Sequence, residues 1–421
     1  MKIIIISHTF QLRYYYRRWE LFAQQHPDVD VVLLAPEKFT FHRNRLYSYG
    51  SSETGEGTTI DEGNFHIRTF RMRSIKGMWV SPDFKRIFKE ENPDLIYHLG
   101  TQHQISLVQI GKIVKRLRLH AKIALFSMRG PVSDLENMRR TRSYGFIEWA
   151  ARYYVAKYVT KYVNKHYDAV FCHYPDAVAS FRKEGFDGPI YMQTQVGVNT
   201  EWFYPNEEWG REIRERYNVG DAYLFGSASR FTLDKGIDDV IEALPKEGNW
   251  KYLMMGTGSE SDIKRLKDKI HERGFEDRII MPGFIDRLEM PKYWNAVDCA
   301  IHVPHTTPHW VETFSLSAIQ PMATKKPIIA NTSGSVPYQV GPDALVVAEG
   351  DIQQLHDRIC WVLEHQEEAK AIGEKLYNRA ISCFSVEHLN QMFYDTLQDV
   401  LKDRYDEAKV DMATYKTLEQ R

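Results

Sequence analysis

The sequence predicts an α/β protein of two domains, each built on a parallel sheet covered by helices. Three observations support this: the length of 421 residues, a β–α alternation that occurs twice, and a polar segment between the two series. A chain of this length is too long for one core and fits two domains of about 200 residues each. Residues 197–209, with Pro205 between polar residues, are the expected linker.

The strands are predicted from short apolar, β-branched runs separated mostly by amphipathic or polar segments. In the first half these runs are 2–7, 29–34, 65–70, 95–98, 122–127, 169–173 and 190–193. In the second half they are 223–228, 251–255, 278–281, 299–303, 327–330 and 345–347. Because helical segments separate most of the runs, parallel pairing is expected in both sheets.

The domain boundaries follow from this alternation. We expect a first domain over 1–198, a second over 199–385, a last helix over 386–404 that crosses back to the first domain, and a polar tail over 405–421.

Composition indicates an ordinary soluble protein, with 43% apolar, 26% charged and 13% aromatic residues. No apolar run approaches the roughly 20 residues that span a bilayer. The run 3–6 is too short for a signal peptide. The four cysteines lack metal-ligand spacing, which predicts reduced thiols in a cytosol; they are Cys172, Cys299, Cys360 and Cys383.

The net charge of −1 hides an asymmetry between the two halves. Residues 1–200 carry 29 basic and 19 acidic side chains (+10), and residues 201–421 carry 26 and 37 (−11). A basic domain suits a peripheral enzyme that docks on an anionic membrane at the inner face of the cell. Mutual attraction between the two halves explains the same asymmetry. No nucleic-acid partner is expected.

Residues 312–330 are the most informative segment: an acid, a small-residue turn with an aromatic, a short amphipathic helix and a β-branched strand. Backbone N–H groups at the start of such a helix bind a diphosphate without a side-chain charge. We expect Glu312 to accept hydrogen bonds from sugar hydroxyls and Gln320, two turns along the helix, to reach a ribose. The N–H groups at the turn belong to Thr313, Phe314, Ser315 and Leu316.

This segment resembles the Glu-x7-Glu signature of family 4 glycosyltransferases, with Gln320 in place of the second acid. Further motifs follow in the family's order over residues 195–402. They are Gly197-Val-Asn199 with Phe203 and Pro205, Ser227-Ala-Ser-Arg230 with Asp234-Lys-Gly236, Met255-Gly-Thr-Gly258, Met281-Pro-Gly-Phe-Ile285, and Phe384-Ser-Val386. The resemblance implies the GT-B fold, two Rossmann-like domains whose parallel sheets face each other across a cleft.

The resemblance also implies roles for individual residues. Arg230 and Lys235 would grip the donor diphosphate, and two fixed cations can stabilise a departing nucleoside diphosphate without a metal. Gly256 and Gly258 would let the backbone approach the nucleotide. The loop that contains Phe284 and Ile285 would contact the base edge.

The first half departs from the family pattern at the acceptor side. The family's Gly-rich loop after the first strand is replaced by 7–18, a segment that contains Arg13, Arg17 and Arg18. Arg129 stands where many members carry a histidine, and a guanidinium is better suited to clamp an anion than to act as a base. His103 follows a strand end and either touches the acceptor or is a satisfied surface histidine. We expect Arg13, His103 and Arg129 to serve the acceptor.

Two other clusters leave alternatives open. His302, His305 and His309 invite a metal site, but Pro304 and Pro308 between them favour loop shaping, and no metal is expected. Trp310 either stacks on a sugar or closes the core.

Another segment suggests a helix with a basic and aromatic face. Its lysines 157, 161 and 165 and its tyrosines 154, 158 and 162 recur at four-residue spacing. This face either lies on lipid or is simply solvated.

The expected function is therefore retaining transfer of a hexose from a nucleotide-diphospho-sugar to a glycan or lipid-linked acceptor, which the basic first domain suggests is anionic. No cofactor or metal is expected beyond the co-substrate. By analogy with the family, the setting is polysaccharide, lipopolysaccharide or glycolipid synthesis. The alternatives are another GT-B enzyme, such as a sugar-nucleotide epimerase or a phosphorylase, and a GT-B relative that binds but no longer turns over.

Overall fold

The computed structural model describes residues 1–10, 13–37, 60–75, 78–100, 102–128, 133–141 and 145–405, apart from the side chains of 13–15 and 75. These residues fall into two compact units. The first combines 1–195 with 389–405, and the second is 196–388. The two divisions lie within three residues of those expected from the sequence.

The first unit is built on a mainly parallel sheet. Its strands are β1 (Lys2–Ile6), β2 (Asp30–Pro36), β3 (Ile60–Glu62), β4 (Phe65–Phe70), β7 (Leu95–Gly100), β8 (Lys122–Ser127), β9 (Ala169–Cys172) and β10 (Ile190–Met192), while β5 (Arg73–Ile75) and β6 (Met78–Val80) form a separate hairpin. The order is β10-β9-β8-β7-β1-β2-β4-β3, and β3 is antiparallel to β4. All seven predicted runs are strands; β3, β5 and β6, of three residues each, were not predicted.

Helices connect the strands of this unit. They are α1 (Arg13–Gln25), α2 (Phe84–Glu91), α3 (Ile105–Leu117), α4 (Leu135–Thr141), α5 (Phe146–His166) and α6 (Pro175–Lys183), joined by α15 (Val386–Leu401) near the end of the chain. The apolar side chains of β1 are fully buried, as expected for a central strand between two helical layers.

The returning helix α15 is fixed to the first unit by aromatic packing and by a buried cation. The Phe393 ring lies 5.2 Å from Trp19 and 5.1 Å from Tyr97. Arg18 is 7% exposed and donates to the Asn390 amide oxygen at 3.0 Å and to the Leu389 carbonyl at 3.0 Å. The sequence placed Arg18 with Arg13 and Arg17 on the acceptor side of the first half. The structure corrects this for Arg18, because its guanidinium is buried and donates to oxygens of Leu389 and Asn390 in the returning helix.

The second unit carries a six-stranded parallel sheet. Its strands are β11 (Tyr223–Ala228), β12 (Trp250–Met255), β13 (Ile279–Gly283), β14 (Cys299–His302), β15 (Ile328–Asn331) and β16 (Leu345–Val347). The order β13-β12-β11-β14-β15-β16 is that of a Rossmann fold, and all six predicted runs are confirmed. The strand order reverses between β11 and β14, so a crevice is expected at the carboxyl ends of these two strands.

The helices of the second unit alternate with its strands. They are α7 (Glu207–Arg216), α8 (Ile237–Ala243), α9 (Glu260–Arg273), α10 (Met290–Ala296), α11 (Leu316–Ala323), α12 (Val336–Val340), α13 (Ile352–Glu364) and α14 (Gln366–Phe384), with a 3₁₀ turn at Leu233–Lys235. In the part of the chain that the structure describes, no helix combines the length and apolar character needed to cross a bilayer.

Candidate functional site

The candidate site lies at the switch point of the second sheet, where the loops after β11 and β14 lie side by side. The loop after β11 carries Arg230 and Lys235, and the loop after β14 leads to Glu312. The two strands pair directly, with Phe225 beside Cys299. Ligands bind at such a point because the two loops diverge there and leave a crevice.

Glu312 is the centre of this site and is 7% exposed. The Lys235 ammonium lies 3.2 Å from its Oε2 atom, and the His302 Nε2 atom lies 3.8 Å from the same oxygen. Lys235 also lies 3.7 Å above the centre of the Trp310 ring. An ammonium carries three N–H donors. Lys235 can therefore hold Glu312 and still donate to a phosphate oxygen.

The protonation states of this group follow from burial. Burial raises the pKa of the Glu312 carboxyl, and the charge of Lys235 and its hydrogen bond oppose that rise. Burial, reinforced by the Lys235 charge, lowers the pKa of His302 to about 3. At neutral pH the imidazole is therefore neutral, and its Nε2 atom has no hydrogen-bond partner within the described residues. A group of such low basicity is a poor general base at that pH.

Gly236 sets the position of Lys235. Its φ is 68°, and a Cβ atom at this position would lie 1.9 Å from the Val303 carbonyl oxygen. Both the left-handed conformation and the close contact require glycine. The Lys235-Gly236 pair of the sequence motif is thus explained by the tight turn that brings the lysine against the loop after β14.

The other residues expected at the donor diphosphate and nucleotide lie at the same edge of the sheet. Arg230 is exposed directly after β11. Gly256 has a φ of 138°, and a Cβ atom there would lie 1.8 Å from the Ser229 carbonyl oxygen. Gly258 is buried, and a Cβ atom would crowd Phe231 and Asp262. Two adjoining loops are therefore packed backbone against backbone beside Arg230.

The loop after β13 contains Phe284 and Ile285, the two residues expected at the nucleotide base, and they differ in exposure. Phe284 is 57% exposed, whereas Ile285 is 7% exposed and belongs to a hydrophobic core of this unit. The Ile285 side chain is therefore a packing element, and only its backbone is available to a nucleotide base.

The turn before α11 is held from behind by Gln339, which is fully buried. The Ser315 N–H donates to the Gln339 amide oxygen at 2.8 Å, and the Gln339 amide donates to the Ser315 carbonyl at 3.1 Å. The Ser335 N–H donates to the Glu312 carbonyl at 2.8 Å. The Ser315 N–H, one of the expected diphosphate donors, is therefore already occupied in this structure. No sequence pattern pointed to Gln339, which lies 24 residues from its partner.

The neighbours of Ser315 differ in their surroundings. Thr313 is half-buried. The Phe314 ring lies 5.7 Å from the Phe384 ring, and Leu316 packs against the hydrophobic core. The side chains of Phe314 and Leu316 thus anchor the turn.

Gln320 is 8% exposed, and its amide oxygen accepts a hydrogen bond from the Trp294 indole at 3.2 Å. It therefore has a structural partner, while its amide N–H groups and the second lone pair of the oxygen remain for a ligand. The contact with a ribose stays a prediction.

The three histidines near the loop after β14 have different surroundings. His302 faces Glu312, and the His305 Nε2 atom lies 2.8 Å from an Asp239 carboxylate oxygen. His309 is exposed. Within the described ranges, no group of three His, Cys, Asp or Glu side chains is placed to hold a metal ion. Trp310 is half-buried and lies under the Lys235 ammonium, an arrangement that the sequence did not suggest.

The acceptor candidates of the first unit are described only in part. Arg129 and the side chain of Arg13 lie outside the described residues. His103 is half-buried in the turn after β7. Arg17 pairs with Glu20 at 2.8 Å.

Comparison with known proteins finds a family likeness within the second unit. A model of the family described as "Glycosyl transferases group 1" matches residues 211–379. The MMP alpha-(1->4)-mannosyltransferase of Mycolicibacterium hassiacum is 35% identical over 81 residues, which is 18% of this chain and 20% of that enzyme. The aligned part thus spans a fifth of this curated relative.

Solved structures match almost the whole chain. Sucrose-phosphate synthase from Thermosynechococcus elongatus aligns with a TM-score of 0.69 and 18% identity over 96% of this chain and 100% of its own. Anabaena Alr3699/HepE in complex with UDP-glucose aligns with a TM-score of 0.66 and 17% identity over 95% and 100%. These likenesses show the GT-B fold that the motifs predicted. The likeness to the family of glycosyl transferases group 1 extends over residues 211–379, about two fifths of the chain, all within the second unit.

Proposed function

We propose that this chain is a retaining glycosyltransferase of family 4 that transfers a hexose from a nucleotide-diphospho-sugar to a glycan or lipid-linked acceptor. The observation that carries the proposal is the buried contact between Lys235 and Glu312 at the switch point of the second sheet. It combines a cation for a diphosphate with a carboxylate for sugar hydroxyls.

The cation stabilises the leaving group. A departing nucleoside diphosphate gains negative charge in the transition state, and a fixed ammonium in a partly desolvated site stabilises that charge strongly. Lys235 is held in place by Glu312 and Trp310, so little reorganisation is needed. Arg230, exposed beside it, supplies a second cation. With these two cations we propose that no catalytic metal is required.

The carboxylate orients the donor sugar. Glu312 lies in a buried setting where an unpaired hydrogen-bonding group is unfavourable, so a sugar hydroxyl that donates to it is bound with specificity. The backbone carbonyl of Glu312 is tied to Ser335, which fixes the carboxylate relative to Lys235.

Proton transfer follows from the low basicity of His302. Because burial lowers its pKa to about 3, this imidazole does not take the acceptor proton at neutral pH. We propose that the leaving phosphate oxygen takes that proton as the anomeric carbon–oxygen bond to phosphate breaks. The acceptor oxygen forms its bond on the same face, and the anomeric configuration is retained.

The relatives support the donor class. The HepE structure holds UDP-glucose, and the mannosyltransferase relative is named for hexose transfer. We propose a hexose linked to a nucleoside diphosphate such as UDP as the donor for this chain. By the family analogy we place the reaction in cell-surface polysaccharide, lipopolysaccharide or glycolipid synthesis, in the cytoplasm at the inner face of the membrane.

The test is product analysis with a panel of sugar nucleotides. The proposal predicts release of nucleoside diphosphate, by transfer or by slow donor hydrolysis, with activity unchanged by a chelator. When an acceptor is found, the product should keep the anomeric configuration of the donor. Conversion of the sugar nucleotide without release of nucleoside diphosphate would indicate an epimerase, and phosphate-dependent cleavage a phosphorylase. Binding without turnover of any donor would indicate a binding protein.

A further inference from the structure

Helices α3 and α5 of the first unit together form a strongly basic face. Residues 105–118 and 146–166 contain eight Lys and Arg and one acid, Glu148, a balance of +7. Glu148 is already paired with Arg152 at 2.9 Å. Most of the excess charge of the first half therefore lies on two helices, outside the switch point of the sheet.

The two helices pack side by side, so their charges belong to one surface. Gly111 of α3 lies against Tyr162 of α5, where a Cβ atom would approach the ring to 2.7 Å. The Lys112 ammonium lies 6.0 Å from the centre of the Tyr158 ring. Partial burial lowers the pKa of His166, and the charges of Lys165 and Lys115 lower it further. Lys165 of α5 and Lys115 of α3 thus both act on the His166 imidazole.

Of the eight basic side chains in these two segments, all but Arg152 are exposed. On α3 and its end the exposed ones are Lys112, Lys115, Arg116 and Arg118, and on α5 they are Lys157, Lys161 and Lys165. This contrasts with Arg18 of the same unit, which is buried.

The outer stripe of α5 changes character along its length. Exposed residues recur at spacings of four and three, so they lie on one side of the helix. In order they are Ile147, Ala151, Tyr154, Tyr158, Lys161 and Lys165. The first part is apolar and aromatic, with Ile147 85%, Tyr154 65% and Tyr158 47% exposed, and Phe146 beside it is 72% exposed.

Exposed apolar and aromatic groups next to lysines suit a lipid interface. Lysines are attracted to anionic headgroups, and aromatic rings are favoured at the boundary between headgroups and acyl chains. An acidic protein would match the lysines but would not require two neighbouring exposed apolar residues at the start of α5. We propose that the outer face of α3 and α5 docks on an anionic lipid bilayer.

The fold gives this surface a functional direction. Both helices precede strands of the parallel sheet, α3 before β8 and α5 before β9. They therefore run antiparallel to the strands and begin at the carboxyl edge of the sheet, the edge at which ligands bind in such folds. Phe146 and Ile147 lie at that end. The inference rests on the proposed function in one respect. If the acceptor is lipid-linked, docking of this face would bring that acceptor near the carboxyl edge of the sheet.

The experiment measures co-sedimentation of the full chain with vesicles of phosphatidylcholine alone or mixed equally with phosphatidylglycerol. We expect binding to the anionic vesicles, lost at high salt because surface charges are screened. Changing Lys157, Lys161 and Lys165 together to Gln should weaken it about 100-fold at low salt, at about fivefold for each lysine. Changing the same three residues to Arg should preserve it.

A second variant separates insertion from charge. Phe146→Ser with Ile147→Ser should weaken binding to anionic vesicles about tenfold or more and leave the salt dependence in place, since the lysines remain. The matched control is Lys264→Gln with Lys267→Gln, two exposed lysines of α9 in the second unit, which should bind as the parent does.

The outcomes are distinct from those of the proposed function. Nucleoside diphosphate binding, measured by titration on the same variants, should be unchanged, so loss of lipid binding alone reports on this face. Equal partition to both vesicle types, no binding to either, or an equal loss in the α9 control would overturn the proposal. A chain that binds anionic vesicles but no nucleotide would overturn the proposed function and leave the docking surface standing.

Discussion

The two domains share a parallel sheet with a switch point but carry their charge in different places. In the second domain Lys235 and Glu312 meet at the switch between β11 and β14. At the corresponding place in the first domain, between β1 and β7, the described side chains include Ser7, Gln102 and His98, a histidine whose pKa is lowered to about 3 by burial. The first domain instead carries exposed positive charge on the outer face of α3 and α5.

This difference separates two uses of charge. A fixed ion pair in a buried crevice acts on one small ligand, because the low local dielectric strengthens the interaction. A row of exposed lysines acts on an extended surface and is sensitive to salt. The +10 balance of the first half does not distinguish these two uses of charge. The structure distinguishes them, because Arg18 is buried and the α5 lysines are exposed.

The largest expected effect tests the second domain. Lys235→Ala should lower turnover by roughly 10²–10³, because the ammonium stabilises charge that develops on the leaving group. Arg230→Ala should also lower turnover. The measurement is the steady-state rate of nucleoside diphosphate release.

The matched control for these variants is Lys251→Ala. Lys251 lies at the amino end of the same sheet and donates to the Asn218 carbonyl at 2.6 Å. It should keep parental turnover. If Lys235→Ala turned over as fast as this control, Lys235 would not be the residue that stabilises the leaving diphosphate.

The next effect concerns acid stability and contrasts the domains directly. Burial lowers the pKa of His98 and His173 in the first domain, and of His302 in the second, to about 3. These histidines bind protons less readily in the folded state than in the unfolded state. The free energy of unfolding therefore begins to fall as the pH drops below the unfolded-state pKa of histidine, near 6.5, and it continues to fall until the pH reaches the folded-state pKa near 3. Between pH 7 and 5 we expect His98 and His173 to contribute a loss of about 4 kcal/mol in the first domain and His302 a loss of about 2 in the second. Burial also lowers the pKa of His8 and His26, which adds to the loss in the first domain.

Hydrogen exchange of the full chain, corrected for intrinsic rates, measures this contrast. Strands β7 and β9 should lose more protection than β11 and β14 on going from pH 7 to 5. His302→Gln should reduce the loss in the second domain only. Equal losses in both domains of the parent would contradict this expected contrast.

A smaller effect tests the support behind the site. Gln339→Leu leaves the buried Ser315 N–H without its partner and the Ser315 carbonyl with the Ala318 N–H alone, at about 1–3 kcal/mol of unfolding free energy. Because the turn before α11 is then free to move, the dissociation constant for nucleoside diphosphate should rise about tenfold. The control is Gln353→Leu, on the exposed face of α13, which should change neither quantity. Unchanged nucleotide affinity in Gln339→Leu would show that the turn does not contact the ligand.

The smallest effect concerns Gln320. Gln320→Glu should keep activity, because a carboxylate also accepts a hydrogen bond from a ribose hydroxyl and from the Trp294 indole. Gln320→Leu should weaken nucleotide affinity modestly, by about 0.5–1.5 kcal/mol for one lost hydrogen bond. It should also lower stability, because the Trp294 N–H loses its partner. A loss of stability with parental nucleotide affinity would restrict Gln320 to packing.

Sequence patterns predicted the fold closely, because buried parallel strands are continuous apolar runs and all thirteen were recognisable. They missed β3, β5 and β6, whose three-residue lengths are too short to give periodicity. Lys235 and Glu312 were singled out through motifs that resemble those of the family, and their roles at the diphosphate and the sugar stay predictions. Gln339 was missed because its role depends on a contact between distant segments, and Arg18 was misplaced because burial of a cation is decided by the helix that returns at the end of the chain.

The central claim is that the switch point of the second domain binds the diphosphate of a sugar nucleotide through Lys235. Isothermal titration of the full chain with UDP, GDP and ADP, with and without a chelator, tests it most directly. We expect one nucleotide to bind with the same affinity in both conditions, and Lys235→Ala to weaken that binding by about 1.5–3 kcal/mol, while Lys251→Ala leaves it unchanged. Parental affinity in Lys235→Ala, or binding of no nucleotide to the parent, would contradict the account.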